Sequence, residues 1–383
     1  MSLPAPSSDA LAASHALQHL IAAEIERNAG AIPFARYMEL ALYAPGLGYY
    51  SGGSAKLGKD GDFTTAPELS PLFGAALARV AAAIIAQSAP NILEFGAGTG
   101  KLAFDILSEL RAAGVAVDKY YIVELSGELR GRQQEKLRAF PQVEWLDTLP
   151  ASFDGVVFGN EVLDAMPVQL VIKHPDGWQE LQVTVRDGGF QYLETPASAG
   201  LQAQIARQIP AHELLPDGYV TELHGVACGF MATLARMLGQ GRANAAFLFD
   251  YGFPAHEFYF DQRVTGTLMC HYRHHAHPDP FYYPGLQDIT AHVDFTAMAL
   301  AAQDAGIEVL GYLNQSGFLL GAGIGELLLR TDPADAAAYL PQARALQKLV
   351  SPAEMGELFK VLAVGKGVEL PPAIVLQDRT HRL

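Results

Sequence analysis

Cysteine is nearly absent: Cys228 and Cys270 are the only two in 383 residues. Neither stands at C-x-x-C spacing, which argues against a disulfide framework and a paired-cysteine zinc cluster. Basic residues are also scarce. The chain has 26 Lys and Arg against 41 Asp and Glu, a net charge of −15. Nonspecific nucleic-acid binding needs a basic footprint, so no nucleic-acid partner is expected. An acidic surface suits a basic partner, such as an arginine-bearing protein surface, and equally suits plain solubility. No uncharged apolar run reaches the length of a membrane span, and no membrane insertion is expected. The first thirty residues carry Asp9, Glu24 and Glu26 but no basic residue before Arg27. They match neither a secretory signal nor an Arg-rich transit peptide. These absences predict a reducing, cytoplasmic setting.

What is present describes a large globular enzyme. Half of the residues are hydrophobic and 17% are charged, enough for a substantial core in one large domain with insertions or in two domains. Helices are predicted over 8–27, capped by Ser8 or Asp9, over 33–43 from Pro33, and from Pro71 to Gln87. Between them, 44–63 is a long loop with six glycines in twenty residues. The central third then alternates. Strands are expected at 92–95, 120–124, 143–145 and 153–159, with helices at 101–113 and 128–140. Such alternation implies a parallel doubly wound α/β sheet. Residues 168–194 break the rhythm with Asp176-Gly177 and Asp187-Gly188 turns between antiparallel strands. The main pattern resumes with a helix at 225–238 and a strand at 245–250. Strands near 307–312 and 317–322 complete the sheet, and the tail over 333–363 is read as helical. The division expected is a helical region at 1–88, a main domain at 89–325 with insertions about 168–220 and 252–300, and a helical tail at 326–383.

The sharpest motif is Glu94-Phe95-Gly96-Ala97-Gly98-Thr99-Gly100 at the strand-to-helix turn. Glycines there let backbone approach a nucleotide-like ligand, beside the free N–H groups of a helix start. The third glycine comes one residue early for a dinucleotide-binding G-x-G-x-x-G, which disfavours an NAD-dependent enzyme. The bland alternative is a glycine-rich turn that binds nothing.

In open parallel sheets, ligands bind beyond the carboxyl ends of the strands. Glu124 ends the second strand, where a carboxylate can accept both ribose hydroxyls. Leu146-Asp147 ends the third, where Asp can accept from an adenine amino group. Asn160, Glu161 and Asp164 follow the fourth. One helical turn would place Glu161 and Asp164 on one side, a pair able to hold a guanidinium through its forked donors. Asn160 and Asp164 could equally cap the following turn. Asp250-Tyr251 ends the fifth strand and reads either as a cleft border or as a turn. Phe63, Thr64 and Thr65 could cover a cofactor or simply start a helix. The His-rich run 271–277 lacks the helical or paired-cysteine frame of a metal site, and no metal is expected. Asp288 and Asp294 read as caps of the following helix.

The chain resembles the MidA family of class I S-adenosylmethionine methyltransferases. The matching pieces run in order: Tyr37-Met38 through Pro45-Gly46-Leu47-Gly48-Tyr49-Tyr50, then DFTTAPELSPLFG (62–74), EFGAGTG (94–100), VELS (123–126), NEVLDAMPV (160–168), FDYG (249–252) and PGLQDITAHVDF (284–295). Ala97 departs from the proline that many relatives carry. The resemblance implies a Rossmann-like sheet with helices on both faces, and S-adenosyl-L-methionine as cofactor. It implies cofactor contacts from Glu94, Gly96, Gly98, Gly100, Glu124, Leu125, Leu146, Asp147, Asn160, Thr64 and Thr65. It implies catalytic roles for Glu161, Asp164 and Asn160. It also implies a protein substrate, an arginine of a respiratory complex I subunit in a mitochondrial relative, giving symmetric dimethylarginine. The rival reading is a cofactor-binding assembly chaperone with little or no methyltransferase activity.

Overall fold

The computed structural model describes residues 3–52 and 65–383, which divide into two compact units. Of the described residues, one unit gathers 3–52, 163–229 and 253–297; the other gathers 65–162, 230–252 and 298–383. The segments expected as insertions thus lie with the N-terminal residues.

The second unit holds the parallel sheet. Its strands are β1 (Asn91–Phe95), β2 (Lys119–Val123), β3 (Val143–Trp145), β4 (Gly155–Asn160), β5 (Asn244–Phe253), β6 (Glu308–Asn314) and β7 (Phe359–Lys366). Their order is β6-β7-β5-β4-β1-β2-β3. The run from β5 to β3 is parallel, while β7 is antiparallel to both β5 and β6. The central strands read as continuous apolar runs because both faces are covered. Leu93, Val157, Phe247 and Val361 are all fully buried.

Helix α1 (Pro71–Ile85) starts at a Ser-Pro pair: Ser70 accepts from Leu72 N at 3.1 Å and Pro71 takes the first helical position. Helix α2 (Lys101–Ala112) follows β1, and α3 (Gly127–Lys136) follows β2 under a Ser126 cap. Gly74 lets α1 meet α2, since a Cβ there would lie 2.5 Å from the Asp105 Cβ.

Two tail expectations are corrected. Residues 315–321 form a helix, not a strand. Asn314 ends β6 and accepts from Gly317 N at 3.0 Å, so the helix starts at once. Residues 359–366 form strand β7, not a helix. Both are short apolar runs whose periodicity does not separate the two states.

The first unit is mostly antiparallel. Gly177–Arg186 pairs with Gln169–His174, Gly189–Pro196 and Ile32–Pro33, and Gln169–His174 also pairs with Val220–Leu223. The Asp187-Gly188 turn has φ values of 52° and 79°, the left-handed pair a two-residue hairpin requires. The helix Ser8–Arg27 is capped by Ser7, one residue before the expected cap, and Phe34–Tyr43 starts just after Pro33. The His-rich run is a further hairpin, Met269–Tyr272 against His275–His277, turning through Arg273 and His274. The core of this unit packs Leu17, Ile21, Tyr37 and Met38 against Leu170, Val183 and Ile289.

Candidate functional site

Strand β1 carries one acid into an apolar layer. Glu94 is 2% exposed, and its carboxylate accepts from the Tyr120 hydroxyl on β2 at 2.6 Å. Burial pushes its pKa up to about 7, against the opposing pull of the Tyr120 bond. After β1 the chain turns through Gly96, Gly98 and Gly100, with φ of 62°, 54° and 77°. All three occupy the left-handed region that favours glycine. Gly96 N–H donates to Val123 O at 3.0 Å, so the loop is stitched to the end of β2. Gly100 precedes α2, which opens with no side-chain cap.

Glu124 sits just past β2. It accepts from Ser126 N at 2.9 Å and from Gln133 Nε2 at 2.9 Å. Burial raises its pKa, and the backbone N–H of Ser126 works against that rise. Gln133, fully buried on α3, also donates to Gly98 O at 2.9 Å and accepts from Trp145 Nε1 at 2.9 Å. One amide therefore touches the glycine loop, the acid after β2 and the indole that ends β3. Sequence reasoning missed it, because Gln133 lies in a polar helix, GELRGRQQEK, with no motif around it.

The remaining predicted residues fall in different settings. Thr99, inside the loop, donates to Glu68 Oε1, which ties the PEL segment to the glycine turn. Thr65 precedes the short helix Ala66–Leu69; Phe63 and Thr64 lie outside the described residues. Leu125 is 82% exposed. Leu146 N–H donates to Ile122 O at 2.9 Å, and exposed Asp147 pairs with Arg130 at 2.6 Å. Asn160 Nδ2 donates to Glu161 Oε1 at 3.0 Å, while its buried Oδ1 has no hydrogen-bond partner among the described residues.

The expected helical turn joining Glu161 to Asp164 does not form. Glu161 has φ of 53°, and its N–H donates to Phe249 O at 2.8 Å, extending the ladder between β4 and β5. Pro167 also disfavours helical backbone at Met166. Asp164 falls in the other unit, where its carbonyl accepts from Ala291 N at 3.0 Å. Asp250 is fully buried, with a carboxylate oxygen 3.0 Å from Tyr251 N. Asp294 caps its helix through Ala297 N at 3.1 Å, as expected, whereas Asp288 accepts from the Tyr50 hydroxyl at 2.9 Å.

These groups fit a sulfonium nucleoside. The loop turns too closely for a side chain: a Cβ at Gly96 would lie 3.3 Å from Val162 Cγ2. The acids near the end of β1 and just after β2 supply acceptors, and the buried Asn160 oxygen at the end of β4 has no donor among the described residues.

Comparison with known proteins agrees. The family model for S-adenosyl-L-methionine-dependent methyltransferases matches residues 73–313. A crystal structure of a Burkholderia thailandensis protein bound to S-adenosyl-homocysteine is similar at 53% identity and TM-score 0.94, covering 100% of both chains. The native crystal structure of a protein from the same organism is similar at 52% identity, with TM-score 0.91. The zebrafish (Danio rerio) "Protein arginine methyltransferase NDUFAF7, mitochondrial" is 29% identical, covering 92% of this chain and 87% of that one. The Homo sapiens protein of that name is 27% identical, covering 88% and 81%. From the glycine cradle, the strand-end acids and a family model spanning most of the chain, this protein belongs to the S-adenosyl-L-methionine-dependent methyltransferases.

Proposed function

We propose that this chain is a protein-arginine N-methyltransferase, that it forms symmetric dimethylarginine, and that its target is a respiratory complex I subunit. One observation carries the cofactor half of this reading: Gln133 joins the glycine loop to the acid after β2. The arginine half is supported by relatives named protein arginine methyltransferases and by the Asn160–Glu161 pair at the end of β4.

S-adenosyl-L-methionine, when bound, supplies an electrophilic methyl on sulfonium sulfur. Glu94, the glycine loop, Glu124, Trp145 and Asn160 are the groups proposed to hold it, with Leu125, Leu146, Asp147 and Thr65 bordering. Glu161 is proposed to accept from the substrate guanidinium, which is fully protonated in water, and to aim one nitrogen at the methyl. Transfer would break the sulfonium sulfur–methyl bond and leave the neutral thioether S-adenosyl-homocysteine, and the guanidinium proton would leave to solvent or to Glu161. Alignment and exclusion of water supply most of the acceleration, about 7–11 kcal/mol in well-oriented reactions. We also propose a reducing, cytoplasmic setting, given a buried Cys270 and a half-buried Cys228 whose thiol pKa burial pushes up to about 11.

The test incubates the full chain with methyl-labelled cofactor and complex I subunits, followed by mass spectrometry for methylarginine. Symmetric dimethylarginine on a subunit is the expected result. Cofactor binding without labelled protein would overturn it in favour of an assembly role. Glu161→Gln and Asp164→Asn are compared with the wild type. Glu161→Gln is expected to bind cofactor and to transfer methyl roughly 100-fold more slowly; wild-type rates in both variants would remove the acids from the mechanism.

A further inference from the structure

We propose that Gln133 is the positioning residue of the cofactor site: its single amide sets the relative placement of the Gly98 carbonyl, the Glu124 carboxylate and the Trp145 indole. The proposal rests on the methyltransferase reading and not on the identity of the acceptor.

Three observations converge on it. The first is burial: Gln133 is 0% exposed although it sits on a helix whose other residues are mostly polar and wet. Burying an amide costs free energy unless its donors and acceptor are used. The second is complete use. Both partners of Nε2, Gly98 O and Glu124 Oε2, are acceptors, and the partner of Oε1, the Trp145 indole N–H, is a donor. A flipped amide would set acceptor against acceptor, so only one orientation satisfies all three bonds. The third is packing. A Cβ on Gly100 would lie 3.4 Å from the Gln133 Cα, so α3 and the glycine loop are in contact at that residue.

The consequence is a coupling between two parts of one ligand. Glu124 lies where a ribose diol would be held, and Trp145 lies at the next strand end, beside the expected base position. Gln133 fixes one against the other before any ligand arrives. Preorganisation of this kind lowers the cost of binding rather than the barrier to methyl transfer. Removing it should therefore weaken cofactor affinity.

Gln133→Glu separates positioning from bulk. A neutral carboxylic acid at 133 donates one O–H and still accepts from the indole. An ionised one faces Glu124 and loses the donor. The charged groups around it are Glu124 after β2, which itself interacts with Glu94 of β1, and Arg130 of the same helix, itself paired with Asp147 after β3. The carboxylates favour the neutral acid at 133, and its titration is expected in the range open to experiment.

The experiment uses the full chain carrying Trp178→Phe, which leaves Trp145 as the only indole. S-adenosyl-homocysteine affinity is measured by calorimetry at pH 6 and pH 8.5, with Trp145 emission recorded in parallel. Each variant is expressed as a ratio to the parent at the same pH, which cancels titration of Glu94. Gln133→Leu should bind roughly 10- to 100-fold more weakly at both pH values and shift the Trp145 emission. Gln133→Glu should bind within a fewfold of the parent at pH 6 and at least tenfold more weakly at pH 8.5. Parent-like affinity of both variants at both pH values overturns the proposal. So does a pH-independent loss in Gln133→Glu with unchanged Trp145 emission, which marks a packing role alone. If Gln133→Leu does not fold, the pH ratio of Gln133→Glu decides the matter.

Discussion

Glu94 shows how one buried acid links stability to pH. Its folded pKa, about 7, lies above the ordinary 4.5. The neutral form is therefore favoured by folding, so its contribution is full below pH 4.5 and lost as pH rises through 7. The loss is on the order of 3 kcal/mol for a shift of this size. Glu94→Gln keeps an acceptor for Tyr120 and removes the titration. Urea unfolding of ligand-free protein at pH 5 and pH 8 should show a smaller decline in the variant; an equal decline in both would refute this account. Gly96 illustrates backbone cost at the same scale. Gly96→Ala places a Cβ at φ of 62° and 3.3 Å from Val162 Cγ2. About 1–2 kcal/mol of destabilisation is expected from the left-handed conformation, together with weaker binding of S-adenosyl-homocysteine in a titration. Glu161 has the same handedness with a side chain attached, and its ladder bond to Phe249 O offsets the strain.

At the scale of elements, one side chain ties the start of β4 to the start of β5. Asp154, just before β4, accepts from Arg242 N at 2.6 Å and Ala243 N at 2.8 Å, at the entry to β5. Asp154→Ala is expected to cost about 1–3 kcal/mol in chemical denaturation, with Asp154→Asn closer to wild type. No change in either variant would show that β4 and β5 align without this tie. The elements read correctly from sequence share a strong local signal. The 91–95 strand, its glycine turn and the next helix all have one, as does the hairpin at Asp187-Gly188; the hairpin before it turns through Pro175-Asp176, one residue earlier than expected, with Gly177 already paired to His174. The elements misread do not. GFLLGA at 317–322 and FKVLAVGK at 359–366 are apolar runs of similar length. One becomes a helix because Asn314 caps it; the other becomes a strand because β5 and β6 both offer it an edge. Helix–strand competition of this kind is settled by partners distant in sequence.

For the whole molecule, the net charge of −15 predicts no measurable affinity for duplex DNA at 0.1 M salt, checked by fluorescence anisotropy. A cofactor that binds only the folded chain should raise stability by about 2.7 kcal/mol at 100 times its dissociation constant. Thermal unfolding with and without S-adenosyl-homocysteine measures this, and an unmoved melting temperature would argue against the site described. Among the described residues, no helix is long and apolar enough to cross a membrane.

The cofactor motif, the parallel sheet and the methyltransferase resemblance were determined by the sequence, because each depends on residues adjacent in the chain or spaced along one strand and one turn. Three things were decided by tertiary structure alone. Gln133 became the hub of the strand ends because α3 folds back over the glycine loop. Asp164 went with the other unit because the chain leaves β4 through a left-handed residue and not a helix. Residues 359–366 became a strand because they pair with both β5 and β6 and fill the place between them, with more than a hundred residues of chain between Asn244 and Phe359. Local chemistry is written in spacing; which distant groups meet depends on how the whole chain closes.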